Sequence, residues 1–344
     1  MKSTIKDVAE LAGVSLKTVS RVINLENSVR QSTVDKVRDA IAKLDYQPNL
    51  AARNLAGNHS FAIGYVYDNP NAYYVIDMQK GILDECREKD YELIIHPCDA
   101  QSDNIIQELK NMVSRSRLAG LILSPPLSEM PHILEALSEI DLHFVRIIPG
   151  TTEQKESTPC VFVHDYAAAH KITEHLIEQG HNDIAFISGE QDHRSTGERH
   201  RGYLDALKEN NIEPRDEYQV DGQYSFESGV VGAQQLLGLA KPPSAVFCCN
   251  DEIAAGALFA ARLAGVEIPK QLAIAGFEDS PFSRQTWPKL TTAAQPTNLI
   301  ARQAASQLIS QINLNRSKTA AKSSVAHQHF EPELVIREST SNSN

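Results

Sequence analysis

Two different spacings of apolar residues divide the chain. Over residues 1–46 they recur every three or four positions in short blocks: Val8, Leu11 and Ala12; Val19, Val22 and Ile23; Val34, Val37, Ile41 and Leu44. This spacing predicts three short amphipathic helices. Thr4 and Ser15 stand where N-caps belong, "AGVS" with Gly13 forms a turn between the first two helices, and Ser32 followed by Asp35 resembles a capping box for the third. Two short helices joined by a glycine-containing turn predict a helix-turn-helix.

From Phe61 onward the pattern changes. The short apolar runs "FAIGYVYD", "ELIIHPC", "AGLILS", "HFVRII", "CVFVHD", "DIAFISG", "AVFCCND" and "LAIAGFED" alternate with helix-like segments such as "DMQKGILDECREK", "HKITEHLIEQG" and "EIAAGALFAARLAG". Alternating β and α units predict parallel sheets covered by helices on both faces, and eight strands predict two doubly wound lobes. The polar, turn-rich "PGTTEQKESTP" near 149–159 is read as the crossover between lobes, residues 314–327 as a loop and the final "STSNSN" as a frayed end. Between head and body lies "PNLAARNLAGN" (48–58), in which Asn49 can cap and Gly57 can end a helix too short to stand alone in water. The domains expected are therefore 1–47, a helix-turn-helix domain; 48–59, a hinge helix; and 60–344, a two-lobed body.

The charge refines this division. The net charge is −11, yet residues 1–58 hold nine Lys/Arg against six Asp/Glu, leaving 24 against 38 for the rest. A basic head on an acidic body is compatible with nucleic-acid binding through the head alone. Five cysteines without a CxxC pair or Cys/His ligand spacing read as reduced structural thiols, with no metal expected. No apolar run approaches the roughly 20 residues of a membrane span, and "MKSTIKDVAE" lacks the apolar core of a signal peptide, so a cytoplasmic protein without a membrane partner is expected. The chain contains no GxGxxG, GxxxxGK[ST], GxSxG or HExxH. The reading is a non-enzyme with no cofactor.

The stretch "TIKDVAELAGVSLKTVSRVIN" (4–24) closely resembles the DNA-reading head of the lactose-repressor (LacI/GalR) family of bacterial transcription regulators. "LDYQPNLAARNLAG" is similar to that family's third helix and hinge, and "GHNDIAFISG", "RHRGYLDAL", "CCNDEIAAGAL" and "IAGFEDSPFSRQTWPKLTT" to its effector-binding body. The resemblance covers nearly the whole chain in order. It implies a periplasmic-binding-protein-like body, a homodimer, a palindromic operator, a small-molecule effector and, by analogy, repression. In the head it implies that Leu16, Lys17 and Arg21 meet base edges beside Ser20, that Thr4, Ser15, Thr18 and Asn24 fix phosphates, and that Leu55 of the hinge, flanked by Asn49 and Ala52, wedges into the minor groove. The plain alternatives are a solvated helix face for Lys17 and Arg21 and an ordinary linker for the hinge.

Ligands of doubly wound bodies bind at the carboxyl ends of the strands. The effector candidates are Asn69, Tyr73, Ser124, Arg146, Asp165, Arg194, Arg199, Phe226, Asn250 and Glu278, with Asp68, His193, Asp251 and Asp279 near them. Arg199 matches the family's arginine that clamps effector oxygens, and Phe226 an aromatic that stacks on ligands. Glu278 stands where the family usually has Asp. Asp251 can equally cap a helix and Asp279 a turn, while Arg146 calls for either a ligand anion or a protein carboxylate. Amides, carboxylates and Arg near a ring suit a sugar or glycoside, and the three arginines a phosphorylated or amino sugar. A periplasmic-type sugar-binding protein without a regulatory role is the alternative.

Overall fold

The computed structural model describes residues 3–23, 29–46, 60–150, 158–316 and 327–341. They fall into two compact units. The hinge candidates Asn49, Ala52 and Leu55, together with Asn24, lie outside the described residues.

The head unit contains α1 (Ile5–Ala12), α2 (Leu16–Ile23) and α3 (Gln31–Lys43). Thr4 opens α1 by donating from its backbone N and its Oγ1 to Asp7 Oδ2, at 2.7 and 2.8 Å. Gly13 closes the helix at φ 65°, the left-handed conformation that turns the chain into α2. Ser15 Oγ accepts from the Thr18 N–H at 3.2 Å, capping α2. The expected capping box at Ser32 does not form. Arg30 is the N-cap and α3 starts at Gln31, so Ser32 already lies inside the helix, and Asp35 instead accepts from Gln31 Nε2 at 2.8 Å. Val8, Ala9, Val19, Val22, Val37 and Ala40 form the buried core. The helical spacing selects four of these, Val8, Val19, Val22 and Val37; Ala12, Ile23, Val34, Ile41 and Leu44 pack against the core partly buried, and Leu11, expected on the apolar face, is exposed.

The body is built on two parallel sheets. The first contains β1 (Ala62–Tyr67), β2 (Glu92–Pro97), β3 (Gly120–Leu123), β4 (His143–Pro149), β5 (Cys160–Val163) and β11 (Gln328–Phe330), in the order β11-β5-β4-β3-β1-β2. The second contains β6 (Ile184–Ile187), β7 (Gln219–Val220), β8 (Ala245–Cys248) and β9 (Ala273–Ala275), in the order β7-β6-β8-β9. A short antiparallel pair, β10 (Thr292–Ala294) with β12 (Glu333–Val335), lies beside them. Helices α4 (Ala72–Glu88), α5 (Ile105–Ser116), α6 (Pro131–Glu139) and α7 (Asp165–Glu178) follow strands of the first sheet, and α8 (Arg194–Glu209), α9 (Phe226–Leu237) and α10 (Asp251–Leu263) those of the second; α11 (Pro281–Gln285) and α12 (Thr297–Arg316) complete the set. Strands β3, β5, β6 and β8 are buried along their whole length. Burial on both faces explains why they read as continuous apolar runs rather than alternating ones.

Two expectations are corrected here. The crossover does not fall at 149–159: β4 and β5 are parallel neighbours in one sheet, with Arg146 opposite Cys160, and the chain enters the second lobe only after Val163. It returns after β10, since α12 packs on Gly81 and Gly120 of the first lobe, and crosses a third time between β11 and β12. The polar composition of 149–159 marks a surface connection and does not encode which sheet follows. The last turn is also anchored. Ser339 and Thr340 are buried, Ser339 Oγ donates to Ile274 O, and Thr340 Oγ1 bonds His175 at 2.8 Å.

Candidate functional site

The head presents one polar face. Val19 and Val22 turn α2 toward the core, which places Leu16, Lys17, Ser20 and Arg21 on the side away from it at helical spacing. Leu16 is 44% exposed although apolar. Lys17 is exposed, and Ser20 and Arg21 are half-buried. The hydroxyls of Ser15 and Thr18 bond each other at 2.9 Å at the start of the helix. This face carries donors with an apolar contact beside them, the combination that major-groove edges accept.

In the body, residues at or after the carboxyl ends of β1, β3, β4, β5, β6 and β9 converge on a small crevice of about 40 Å³ between the lobes. Arg199, on the second turn of α8, is 4% exposed and organises it. Its Nε donates to Asp165 Oδ1 at 2.7 Å and its Nη1 to Cys249 O at 2.7 Å, while its guanidinium lies 3.8 Å above the Phe277 ring. Glu278 Oε1 stands 3.8 Å from the same Nη1. Its other oxygen accepts from Asn71 Nδ2 across the crevice at 2.6 Å. Asn71 is held in turn: its Oδ1 caps α4 by accepting from the Tyr74 N–H, and its own N–H donates to Asn69 Oδ1 at 2.8 Å.

Burial sets the protonation of this cluster. It pushes Glu278 up to about 7, against the opposing pull of Arg199 and the Asn71 hydrogen bond. Asp165 is also raised by burial, with Arg199 again opposing. Burial pushes His193 down, toward its neutral form. Asp251 is wholly buried and raised for the same reason; its Oδ2 accepts from Ser280 N at 2.7 Å, holding the turn that carries Glu278. Tyr224 closes the other wall, its hydroxyl bonding Thr196 at 2.8 Å and Ser195 at 3.1 Å. Its ring lies so close to Gly189 that a Cβ there would sit 2.5 Å away.

Of the ten effector candidates, Asn69, Asp165, Arg199 and Glu278 line this crevice together. The other six lie elsewhere. Tyr73 is exposed and meets the edge of Phe282 at 5.6 Å. Ser124 is buried against Tyr65, 3.4 Å between hydroxyls. Arg146 Nε donates to Ser128 O at 2.6 Å, and Arg194 lies 3.7 Å from Glu198. Phe226 packs on Phe259 at 5.6 Å, and Asn250 caps α10 by accepting from Ile253 N at 2.9 Å. Asp279 pairs with Arg284 and Arg337 at 2.7 and 2.6 Å. The crevice adds Asn71, Tyr74, Ser195, Tyr224 and Gln295, which the strand-end rule overlooks. Asn71 could have been found as the polar cap between the end of β1 and "AYYVIDMQ".

Among the described residues, His170 with Glu174 and Glu209, and His193 with Glu190 and Asp192, are grouped closely enough to hold a cation. In each, histidine nitrogens already face carboxylates at 3.0 to 3.4 Å. All five cysteines are free thiols. No helix among the described residues is long and apolar enough to cross a membrane.

The chain matches two family models: bacterial regulatory proteins, lacI family, over residues 4–49, and a periplasmic binding protein-like domain over residues 173–340. It is 32% identical over 344 residues to the HTH-type transcriptional repressor PurR of Actinobacillus pleuropneumoniae serotype 3 (strain JL03), covering 99% of each chain. It is also 32% identical over 321 residues to the probable HTH-type transcriptional repressor ExuR of Bacillus subtilis (strain 168), covering 92% of this chain and 93% of the relative. Among solved structures it is similar to the lac repressor dimer bound to operator and the anti-inducer ONPF, with a TM-score of 0.75, 25% identity and 99% of each chain covered. A complex of the transcriptional regulator CelR with cellobiose gives a TM-score of 0.73 at 26% identity, covering 98% of this chain and all of that one.

Proposed function

This chain belongs to the lacI family of bacterial regulatory proteins, and on that basis we propose a repressor that binds a palindromic operator as a homodimer and is controlled by a small carbohydrate-type effector. Residues 1–47 are assigned to the DNA-binding domain, 48–59 to the hinge helix and 60–344 to the effector-binding and dimerisation body. In the head, Leu16, Lys17, Ser20 and Arg21 read bases, and Thr4, Ser15, Thr18 and Asn24 position the backbone. The hinge residues Asn49, Ala52 and Leu55 meet the minor groove, where Leu55 wedges a base step. Its work on operator DNA makes the protein cytoplasmic, and repression requires no catalysis.

One observation carries the effector reading: the interlobe crevice around Arg199, where amides, hydroxyls and carboxylates from both lobes converge. Such a wall offers paired donors and acceptors to a polyhydroxylated ring. A ligand touching both lobes has a different affinity for their alternative arrangements, which is what coupling to the hinge requires. Arg146 and Arg194 are not among the residues that line the crevice, and this favours a neutral sugar or glycoside over a phosphorylated one. The CelR complex contains cellobiose, and a ligand of that chemistry is the first to test.

The test is a thermal-shift screen of mono- and disaccharides, glycosides, amino sugars and phosphosugars, followed by operator titration with each hit. A sugar that raises the melting temperature and shifts affinity for a palindromic duplex is expected. A shift by a purine base or an amino acid, with none by any sugar, overturns the carbohydrate reading. Substrate turnover would overturn the non-enzyme reading.

A further inference from the structure

The crevice has an uneven charge inventory. Arg199 is the single permanent cation among its described lining residues. Two carboxyls face it, buried Asp165 at 2.7 Å and half-buried Glu278 at 3.8 Å. Either one alone would neutralise the guanidinium, so the second leaves the wall with an excess of negative charge whenever it is ionised.

Glu278 is placed for this by its backbone and by its length. It sits at φ 100°, followed by Asp279 at φ 54°, two non-glycine residues in a conformation that surrounding contacts must hold. Asp251 supplies one such contact through Ser280 N. From this turn the side chain passes Arg199 and reaches Asn71 of the opposite lobe at 2.6 Å. An aspartate at this position would stop short by about 1.5 Å, one C–C bond. Side-chain length thus lets one carboxylate face Arg199 and bridge the lobes at once.

We propose that Glu278 is the specificity-determining residue for effector charge: its carboxylate screens Arg199 from the crevice, so the site accepts uncharged polyhydroxylated ligands and excludes carboxylates and phosphates. The proposal rests on the reading of this crevice as the effector site. An incoming anion would meet the Glu278 carboxylate about 5 Å away in a medium of effective dielectric near 20, an opposition on the order of a hundredfold in affinity. Glu278→Gln removes that charge and keeps an oxygen to accept from Asn71. Glu278→Asp keeps the charge and shortens the reach.

Inorganic phosphate and acetate are the probes, titrated at pH 8 into the full-length wild type, E278Q and E278D by calorimetry, with melting temperatures in parallel. E278Q is expected to bind phosphate at least tenfold more tightly than the wild type, while E278D stays close to the wild type. Equal phosphate affinity in wild type and E278Q overturns the proposal. So does an equal gain in E278D, which would make space rather than charge the cause. A panel of neutral sugars run beside these separates the two readings: if no sugar binds the wild type while E278Q gains phosphate, the carbohydrate effector is wrong and the charge screen stands.

Discussion

Glu278→Gln also gives a stability prediction whose size follows from the site. Burial moves the Glu278 carboxyl from 4.5 to about 7. The folded state therefore holds this proton more tightly than the unfolded chain does. A group raised in this way contributes its full stability below the unfolded value and loses it as pH rises through the folded value. At pH 8 the ionised, buried carboxylate costs about 3 kcal/mol relative to the unfolded chain; at pH 5 it costs about 1 kcal/mol, because it is already protonated when folded. Glutamine has no proton to exchange. The difference in unfolding free energy, E278Q minus wild type, is expected to be larger at pH 8 than at pH 5 by about 2 kcal/mol, or several degrees in melting temperature for a domain of this size. Charged and titratable groups pack around Glu278 from several elements: Asp165 on α7, Arg199 on α8, Asp251 and Glu252 on α10, and Asp279 beside it. Histidines pushed down by burial, His164, His175, His181 and His193, destabilise the fold on acidification with the opposite sign. The variant-minus-wild-type comparison removes their contribution. Urea unfolding of both proteins at half-unit steps from pH 5 to 8 measures it. Parallel curves across that range would refute a carboxyl raised by burial.

Arg199→Met leaves Asp165 without its buried counter-charge and Cys249 O without a donor, and should cost about 3–5 kcal/mol in urea unfolding. A loss under 1 kcal/mol would mean that the cluster is hydrated. Arg21→Ala should weaken cognate operator binding by about 5- to 150-fold, the 1–3 kcal/mol of a good base contact, with the melting temperature of the head unchanged; unaltered affinity in an anisotropy titration would remove Arg21 from the reading face. Leu55→Ala should lower operator affinity and reduce DNA bending in a circular-permutation gel assay, leaving effector affinity without DNA the same. Equal bending by variant and wild type would leave the wedge without support.

What the sequence discloses depends on how local the cause is. Strands β3, β6 and β8 are legible because burial on both faces makes every residue apolar. Strands β10 and β12 are not: three residues each, they exist through a pairing between Thr292 and Val335 that no short window contains. The same distinction holds in the site. Asp165 and Glu278 can be found because each follows a strand in a recognisable run, and Arg199 because it matches the family's effector-clamping arginine. Asn71 reads as an ordinary helix cap, and it is one, accepting from Tyr74 N through Oδ1. Its second role appears only when its Nδ2 meets a carboxylate 207 residues away. Arg146 errs in the other direction. An arginine inside an apolar strand calls for a ligand anion or a protein carboxylate, yet its Nε donates to a backbone carbonyl, that of Ser128 in the turn before α6, at 2.6 Å. The most consequential case is Glu278, where the departure from the family's aspartate reads in isolation as a small change in length. Set opposite Asn71, that one methylene decides whether a single carboxylate can face Arg199 and still reach the other lobe, and so whether the charge of the effector and the closure of the lobes are governed by the same side chain.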